Sequence, residues 1–271
     1  MWLPLAVQIK SWQQALNRPL IQGILGGQGT GKTTLAAILM QILNALELQV
    51  CQISIDDLYK TYDERLQLQQ ADPRFCWRGP PGTHDVELGL TVLQQLRQGQ
   101  LPVSVPRFDK SAAQGAGDRT HPELVVKADI VLFEGWFVGV RPIHAGAFDT
   151  APPPILTAAD RAFAREVNTR LQEYLPLWEL LDRLIVLAPI DYRYSKQWRR
   201  EAEQQRMAAG KPGMTAAEID LFVDYFWRSL HPELLIAPLL HDPQLVDGVI
   251  EIDAFHRPLR LYRPSEELHP P

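Results

Sequence analysis

Eight consecutive residues carry the plainest chemistry in this chain. Gly26, Gly27, Gln28, Gly29, Thr30, Gly31, Lys32 and Thr33 match the spacing G-x-x-x-x-G-K-[ST] at every defined position, and Thr34 continues the run. Glycines at these places let the backbone turn tightly and aim several N–H groups at one small anion. Lys32 is expected to reach the β- and γ-phosphates of a nucleotide, and the Thr33 hydroxyl to ligate Mg2+. The run follows an apolar segment at 21–25 and opens a helical one at 32–47. The positive end of a helix dipole therefore points at the same spot. A glycine turn without a ligand is the competing interpretation, and the strand-then-helix context argues against it. ATP and Mg2+ are the expected nucleotide and metal.

Two more acids follow strand-like runs. Residues 129–133, DIVLF, lead directly into Glu134, which is expected to emerge at the carboxyl edge of a sheet and organise the metal and its waters. Residues 50–55, VCQISI, lead into Asp56 and Asp57. The second strand is expected to lie beside the first, so that Asp56 faces the phosphate loop. A carboxylate there can take the proton of an attacking hydroxyl. Asp57 is expected to cap the following turn.

The elements that must hold these groups are legible as alternating periods. An amphipathic helix is expected over 1–16, a βαβ unit over 21–55, a helix at 86–98 and a short strand at 101–106. Further strands are expected at 129–133, 183–188 and near 248–253, the last closing the chain. Helices are expected at 158–181, 191–209 and 215–229, with Gly210, Pro212 and Gly213 interrupting the last two. Residues 57–85 form a long link rich in Arg, Pro and aromatics, and 107–122 return to loop character. Links of that length inside a domain tend to be functional. The expectation is one α/β domain spanning 1–271, with helices on both faces of a mostly parallel sheet.

Composition narrows the function. The 271 residues are 46% hydrophobic and 22% charged, with a net charge of −5. A generally basic nucleic-acid binder is excluded, and no nucleic-acid partner is expected. Cys51 and Cys76 are too few for a disulfide scaffold, and no Cys/His cluster has zinc spacing. No apolar run is long enough to span a bilayer, so no membrane partner is expected. The N-terminal segment reads as neither a secretory signal nor a transit peptide, and the cytoplasm is the expected location. A monomer is expected.

The set GGQGTGKTT, SIDDLY and DIVLFEGW resembles the P-loop small-molecule kinases that include uridine kinase, phosphoribulokinase and pantothenate kinase. The segments RGPPGTHD (78–85), VPRFDKSAAQGAGDR (105–119), VLFEGWFVGVRP (131–142) and WRSLHPE (227–233) are more specifically similar to the D-glycerate 3-kinases. The resemblance implies a P-loop NTPase-type three-layer α/β/α fold and phosphoryl transfer from ATP to D-glycerate. It implies that Asp56 is the general base. Other kinases of the group, or an ATPase that takes no small acceptor, stay open.

A small acid acceptor needs cations for its carboxylate and polar groups for its hydroxyls. The loops at 74–85 and 107–119 supply Arg74, Arg78, His84, Asp85, Arg107, Asp109, Lys110 and Arg119. Of these, His84, Asp85, Arg107, Asp109, Lys110 and Arg119 are the expected acceptor contacts, with His84 equally readable as a structural histidine. Arg193, Lys196 and Arg200 fall on one helical face. The resemblance implies a lid over 191–214, with Arg193 and Lys196 closing on the γ-phosphate. The aromatics at 222–227 are expected in the core. Trp136 and Phe137 are readable as pocket wall or as packing.

Overall fold

Residues 20–26 and 130–135 are buried at every position. Only strands covered on both faces need such runs. The computed structural model describes residues 1–208, 210 and 213–264. Its elements are α1 (Trp2–Leu16), β1 (Leu20–Gly26), α2 (Lys32–Ala45), β2 (Val50–Ser54), α3 (Tyr62–Ala71), α4 (Val86–Arg97), β3 (Val103–Asp109), β4 (Asp118–Val125), β5 (Ile130–Gly135), α5 (Ala158–Trp178), β6 (Arg183–Pro189), α6 (Tyr194–Ala208), α7 (Ala216–Ser229), α8 (Pro232–Leu235), β7 (Gly248–Ile252) and β8 (Pro258–Tyr262).

The main sheet has the order β2-β5-β1-β6-β7-β8. Its first five strands are parallel, and β8 closes one edge antiparallel to β7. Side chains alternate between two cores, as the two-residue period requires. Leu20, Ile24, Ile130, Leu132 and Ile185 pack under α1 and α2, against Ile9, Leu35, Leu39 and Leu43. Ile21, Leu25, Val131, Phe133 and Val186 face α4, α5 and α7, against Leu93, Leu171, Tyr174 and Phe226. This is the expected three-layer arrangement. Among the described residues no helix is long and apolar enough to cross a membrane.

The sequence-based expectations differ from the structure at four places. β2 does not lie beside β1, because β5 sits between them. The apolar run 130–133 takes the doubly covered place next to β1, and β2, half-buried at alternate residues, takes the edge. The link 57–85 contains α3. That helix buries none of its residues, so it has no apolar stripe to read, although Thr61 and Glu64 form a capping box at its start. The expected loop 107–122 is part of a β3–β4 hairpin that pairs Arg107 with Thr120 and Asp109 with Asp118. β4 carries Pro122 and is mostly exposed, as an edge strand can be. The chain does not close at β7, since the exposed strand β8 follows it. Gly210 adopts a left-handed φ of +73 at the expected break after α6, and Pro212 lies outside the described residues.

One carboxylate ties the amino edge of the sheet together. Asp182, before β6, accepts from the Arg18 guanidinium at 2.6 and 2.8 Å, from Arg97 at 3.2 Å and from the Ile21 N–H at 2.9 Å. Burial alone would raise this carboxyl, but Arg18, the Ile21 N–H and Arg97 hold it below the usual carboxylate range. The stabilisation is therefore complete above the unfolded-state value of about 3.9 and is lost as pH falls through the lower folded value. Asp182→Ala strands two part-buried guanidinium groups and is expected to cost on the order of 3 kcal/mol in urea denaturation at pH 7. The difference from wild type should shrink below about pH 4, and a constant difference across that range would refute the assignment.

Candidate active site

The phosphate loop joins the buried end of β1 to the first turn of α2. Gly29 and Gly31 hold φ of +77 and +88, which a residue with a Cβ enters only under strain. The Thr30 hydroxyl closes the loop on the Gly27 carbonyl at 2.9 Å. Lys32 Nζ donates to the same carbonyl at 3.0 Å. Burial pulls the Lys32 ammonium below its ordinary value, while the charges of Glu134 and Asp56 act in the opposite direction. Those effects place both acids within electrostatic reach of Lys32.

Glu134 is the penultimate residue of β5, in register with Ile24 of β1 and Ser54 of β2. It is buried, and its Oε1 accepts from the Thr33 hydroxyl at 2.9 Å. The pair offers two hard oxygen donors beside the phosphate loop. That suits Mg2+, which takes one or two protein oxygens and completes its shell with phosphate and water. Among the described residues no cluster of three His, Cys, Asp or Glu competes for it.

Asp56 lies in a short 3-10 turn that continues β2. Ser54 and Asp57 cap this turn reciprocally, with Ser54 Oγ accepting from the Asp56 N–H at 3.2 Å and Asp57 accepting from the Ser54 N–H at 3.0 Å. Asp57 is thus the capping residue, as expected, and Asp56 is left to face the site. Its carboxylate meets Lys110 Nζ at 2.6 Å. Burial alone would raise the Asp56 carboxyl. Lys110 and a hydrogen bond from the Tyr59 hydroxyl outweigh that and hold it below the usual range. Asp56 is thus ionised at neutral pH.

The expected acceptor residues divide into two groups. Lys110 and His84 belong to the surroundings of Asp56. His84 is buried and stacks on Tyr59 with ring centroids 4.5 Å apart. Its Nδ1 shares a 2.9 Å hydrogen bond with the Tyr174 hydroxyl, and its Nε2 has no partner among the described residues. Burial pushes this imidazole down to about 3, so it is neutral. The other four hold the scaffold. Asp85 caps α4 and pairs with Arg119 at 2.8 Å. Arg119 also donates to the Tyr59 carbonyl at 2.9 Å. Arg107 joins Asp57 at 3.0 Å, Glu123 at 2.7 Å and the Gln52 carbonyl at 3.1 Å, fastening the hairpin to β2. Asp109 closes the turn over Ser111.

The basic face of α6 is held by acids of neighbouring elements. Arg193 pairs with Asp191 at 3.3 Å and Glu233 at 3.7 Å, Lys196 with Asp224 at 2.8 Å, and Arg200 with Asp220 at 2.7 Å. Arg193, Tyr192, Trp136 and Trp227 line a cavity of about 410 Å3 that opens onto Gly27 and Gln28. Trp136 is therefore a pocket wall, whereas Phe137 is fully buried against Tyr174 and Trp178. Tyr225 and Phe226 are core, as expected, but Trp227 faces the cavity and carries Lys196 on its ring at 4.9 Å. Cys51 is buried, with its thiol pushed up to about 11 by that burial, and Cys76 is exposed.

Two residues at the phosphate loop escaped the sequence reading. Trp198 packs over Gly29, where a Cβ would come within 2.9 Å of it. It stacks on His256 at 4.3 Å, and His256 Nε2 lies 2.7 Å from the Gly29 carbonyl. They stand 227 residues from the loop in the case of His256, and no local pattern announces such a contact.

This geometry can be set beside proteins of known sequence and structure. No protein-family model matches the chain. A chloroplastic D-glycerate 3-kinase of Arabidopsis thaliana is 31% identical over 256 residues, covering 89% of this chain and 54% of that protein. The chain thus spans about half the length of that relative. An uncharacterized kinase of Schizosaccharomyces pombe is 33% identical over 218 residues, covering 77% of this chain and 79% of that one. The solved D-glycerate 3-kinase of Cryptococcus neoformans superposes with a TM-score of 0.87 over 97% of this chain and 99% of that one, at 24% identity, and so shares its fold. The phosphate loop, the sheet that carries it and these relatives agree: the chain is a kinase and belongs to the family of P-loop kinases that it shares with the Schizosaccharomyces pombe protein.

Proposed function

We propose that the chain transfers the γ-phosphate of ATP to D-glycerate, giving 3-phosphoglycerate, with Asp56 as general base. The observation that carries this reading is the gathering of Lys32, Glu134, Asp56 and Lys110 at one carboxyl edge. A protein that only hydrolysed ATP would have no need of an ionised carboxylate beside an exposed lysine at that edge. The names of the relatives supply the acceptor.

In this reading the loop N–H groups and Lys32 cradle the triphosphate. Thr33 would hold Mg2+ and Glu134 would act on its water shell, and the ion when bound neutralises charge on the β- and γ-oxygens. Asp56 accepts the proton of the attacking hydroxyl. The transition state for phosphoryl transfer is loose, so the base must be correctly placed more than strongly basic, and a depressed carboxyl suffices. Lys110, largely exposed, pairs with Asp56 until the acceptor enters. Arg193 and Lys196 leave their acid partners to close over the transferring group, with Trp136 as a wall that excludes water.

The first test is purified protein with Mg-ATP and D-glycerate, with the product resolved as 2- or 3-phosphoglycerate. ADP release that no small acid accelerates would sink the proposal. Asp56→Asn is expected to lower kcat by ~10²–10⁴ with the KM for ATP nearly unchanged, and near-normal turnover would remove Asp56 from the role. A second variant reads the electrostatics. Lys110 favours the ionised Asp56, so Lys110→Ala should raise the Asp56 carboxyl and move the acid limb of the kcat/KM profile to higher pH. An acid limb that stays in place or moves down would show that Asp56 does not set it.

A further inference from the structure

The segments 57–85 and 107–119 carry five arginines, and three of them have carboxylate partners. Arg74 pairs with Asp72 at 2.7 Å, Arg107 with Asp57 and Glu123, and Arg119 with Asp85. Arg65 and Arg78 form no ion pair among the described residues. The acid whose charge reaches Arg65 is Asp118, and its Oδ1 is already taken by the N–H groups of Tyr62 and Arg119.

The two guanidinium groups are nevertheless fixed. Arg65 Nη2 donates to the carbonyls of Ala116 at 2.9 Å and Gly117 at 2.5 Å, and its Nη1 donates to that of Lys60. Arg78 Nη1 donates to Gly115 at 3.0 Å and to the same Ala116 carbonyl at 2.8 Å. Both lie over the Phe108 ring, at 5.2 and 5.7 Å. The loop that offers these carbonyls is left-handed at Ala113, Gln114, Gly115 and Gly117, and a Cβ on Gly117 would strike Phe108 at 2.4 Å. Backbone strain is thus spent on setting two like charges side by side. Burial and the neighbouring Arg78 charge both act against the Arg65 cation. In a chain of net charge −5, acids to pair with them are not scarce.

Both side chains line a cavity of about 310 Å3, with Tyr62, Phe75, Trp77 and Thr83 among its other walls. Two aromatic rings link the cavity to Asp56. Phe108, under both guanidinium groups, meets the Tyr59 ring edge-on at 4.9 Å, and the Tyr59 hydroxyl bonds Asp56. Arg78 keeps Nε and Nη2 without a protein partner among the described residues. A guanidinium edge of this kind matches a carboxylate with two parallel bonds.

We infer that the Arg65–Arg78 pair binds the carboxylate of the phosphoryl acceptor in this cavity and sets the preference for an acid over a neutral alcohol. The inference rests on the small-acid acceptor proposed above and names the residues that select it. Its test is the ratio of kcat/KM for D-glycerate to that for glycerol, which keeps the hydroxyls and lacks the charge. Arg78→Gln is expected to lower that ratio roughly 10- to 100-fold, mainly through the KM for glycerate. Glycerol turnover and the KM for ATP should stay near wild type, which also reports that the variant is folded. Arg65→Gln should act in the same direction, and Arg78→Lys, with the charge but not the fork, should recover only part of the loss.

An unchanged ratio in both Gln variants, with glycerate still a good substrate of wild type, would overturn the inference and leave the proposed activity standing. If wild type instead prefers another anionic acceptor, D-glycerate is the wrong substrate. The pair is then judged by the same ratio, measured with that acid and its neutral analogue. If no anion accelerates ADP release in wild type, both fall.

Discussion

The site depends on keeping a partly buried ammonium charged. Lys32 is pulled toward neutrality by burial, and among the described residues no carboxylate pairs with it; its near contact is the Gly27 carbonyl. The fields of Glu134 and Asp56 hold the charge in place from neighbouring strand ends. A lysine paired directly with an acid would give up that pair to bind phosphate, whereas one balanced at a distance is free to move onto it. The parallel sheet makes this possible, because it brings the ends of β1, β5 and β2 to one edge in a fixed register.

The same balance explains the order β2-β5-β1. Glu134 needs to stand directly beside the phosphate loop to reach Thr33, so its strand must be the neighbour of β1. As the proposed base, Asp56 would need to stand further out, where a substrate can come between it and the nucleotide. An adjacent β2 would crowd such a base against the phosphate loop. Inserting β5 gives the separation. The turn capped by Ser54 and Asp57 then carries Asp56 back over the edge.

The sequence made some of this plain and concealed the rest for physical reasons. The phosphate loop, Glu134 after its apolar run and the capping Asp57 are local: residue type and spacing are enough to read them. The buried strands are nearly as clear, because burial on both faces leaves an uninterrupted apolar run. The neighbour of β1 is not local information, and a βαβ unit admits an inserted strand as readily as direct adjacency. α3, the outer end of β3 and β4 are hidden for the opposite reason. They cover the site without joining the core over most of their length, and a polar helix and an exposed edge strand leave no hydrophobic period. Arginines in such segments look alike in sequence. Only the three-dimensional pairing separates Arg107 and Arg119, which fasten the hairpin, from Arg65 and Arg78, which pair with no acid among the described residues.

On the inference that the Arg65–Arg78 cavity takes the acceptor, that cavity and the nucleotide site are also joined mechanically. α6 sets Trp198 on Gly29 of the phosphate loop and, one residue on, places the Arg199 guanidinium over Phe222 of α7 at 4.8 Å. Phe222 in turn packs on Trp77, a wall of the acceptor cavity, at 5.4 Å. The charge of Arg78 is felt at Arg199 as well. A helix that touches both sites through consecutive residues cannot shift against one without disturbing the other. The ion pairs that α6 makes with Asp220 and Asp224 are partly exposed, so each holds it by a small free energy that a bound phosphate can exceed. On the proposed function, movement of α6 onto the γ-phosphate would carry Arg199 and its aromatic neighbours with it, so that filling the nucleotide site and enclosing the acceptor would become parts of one displacement.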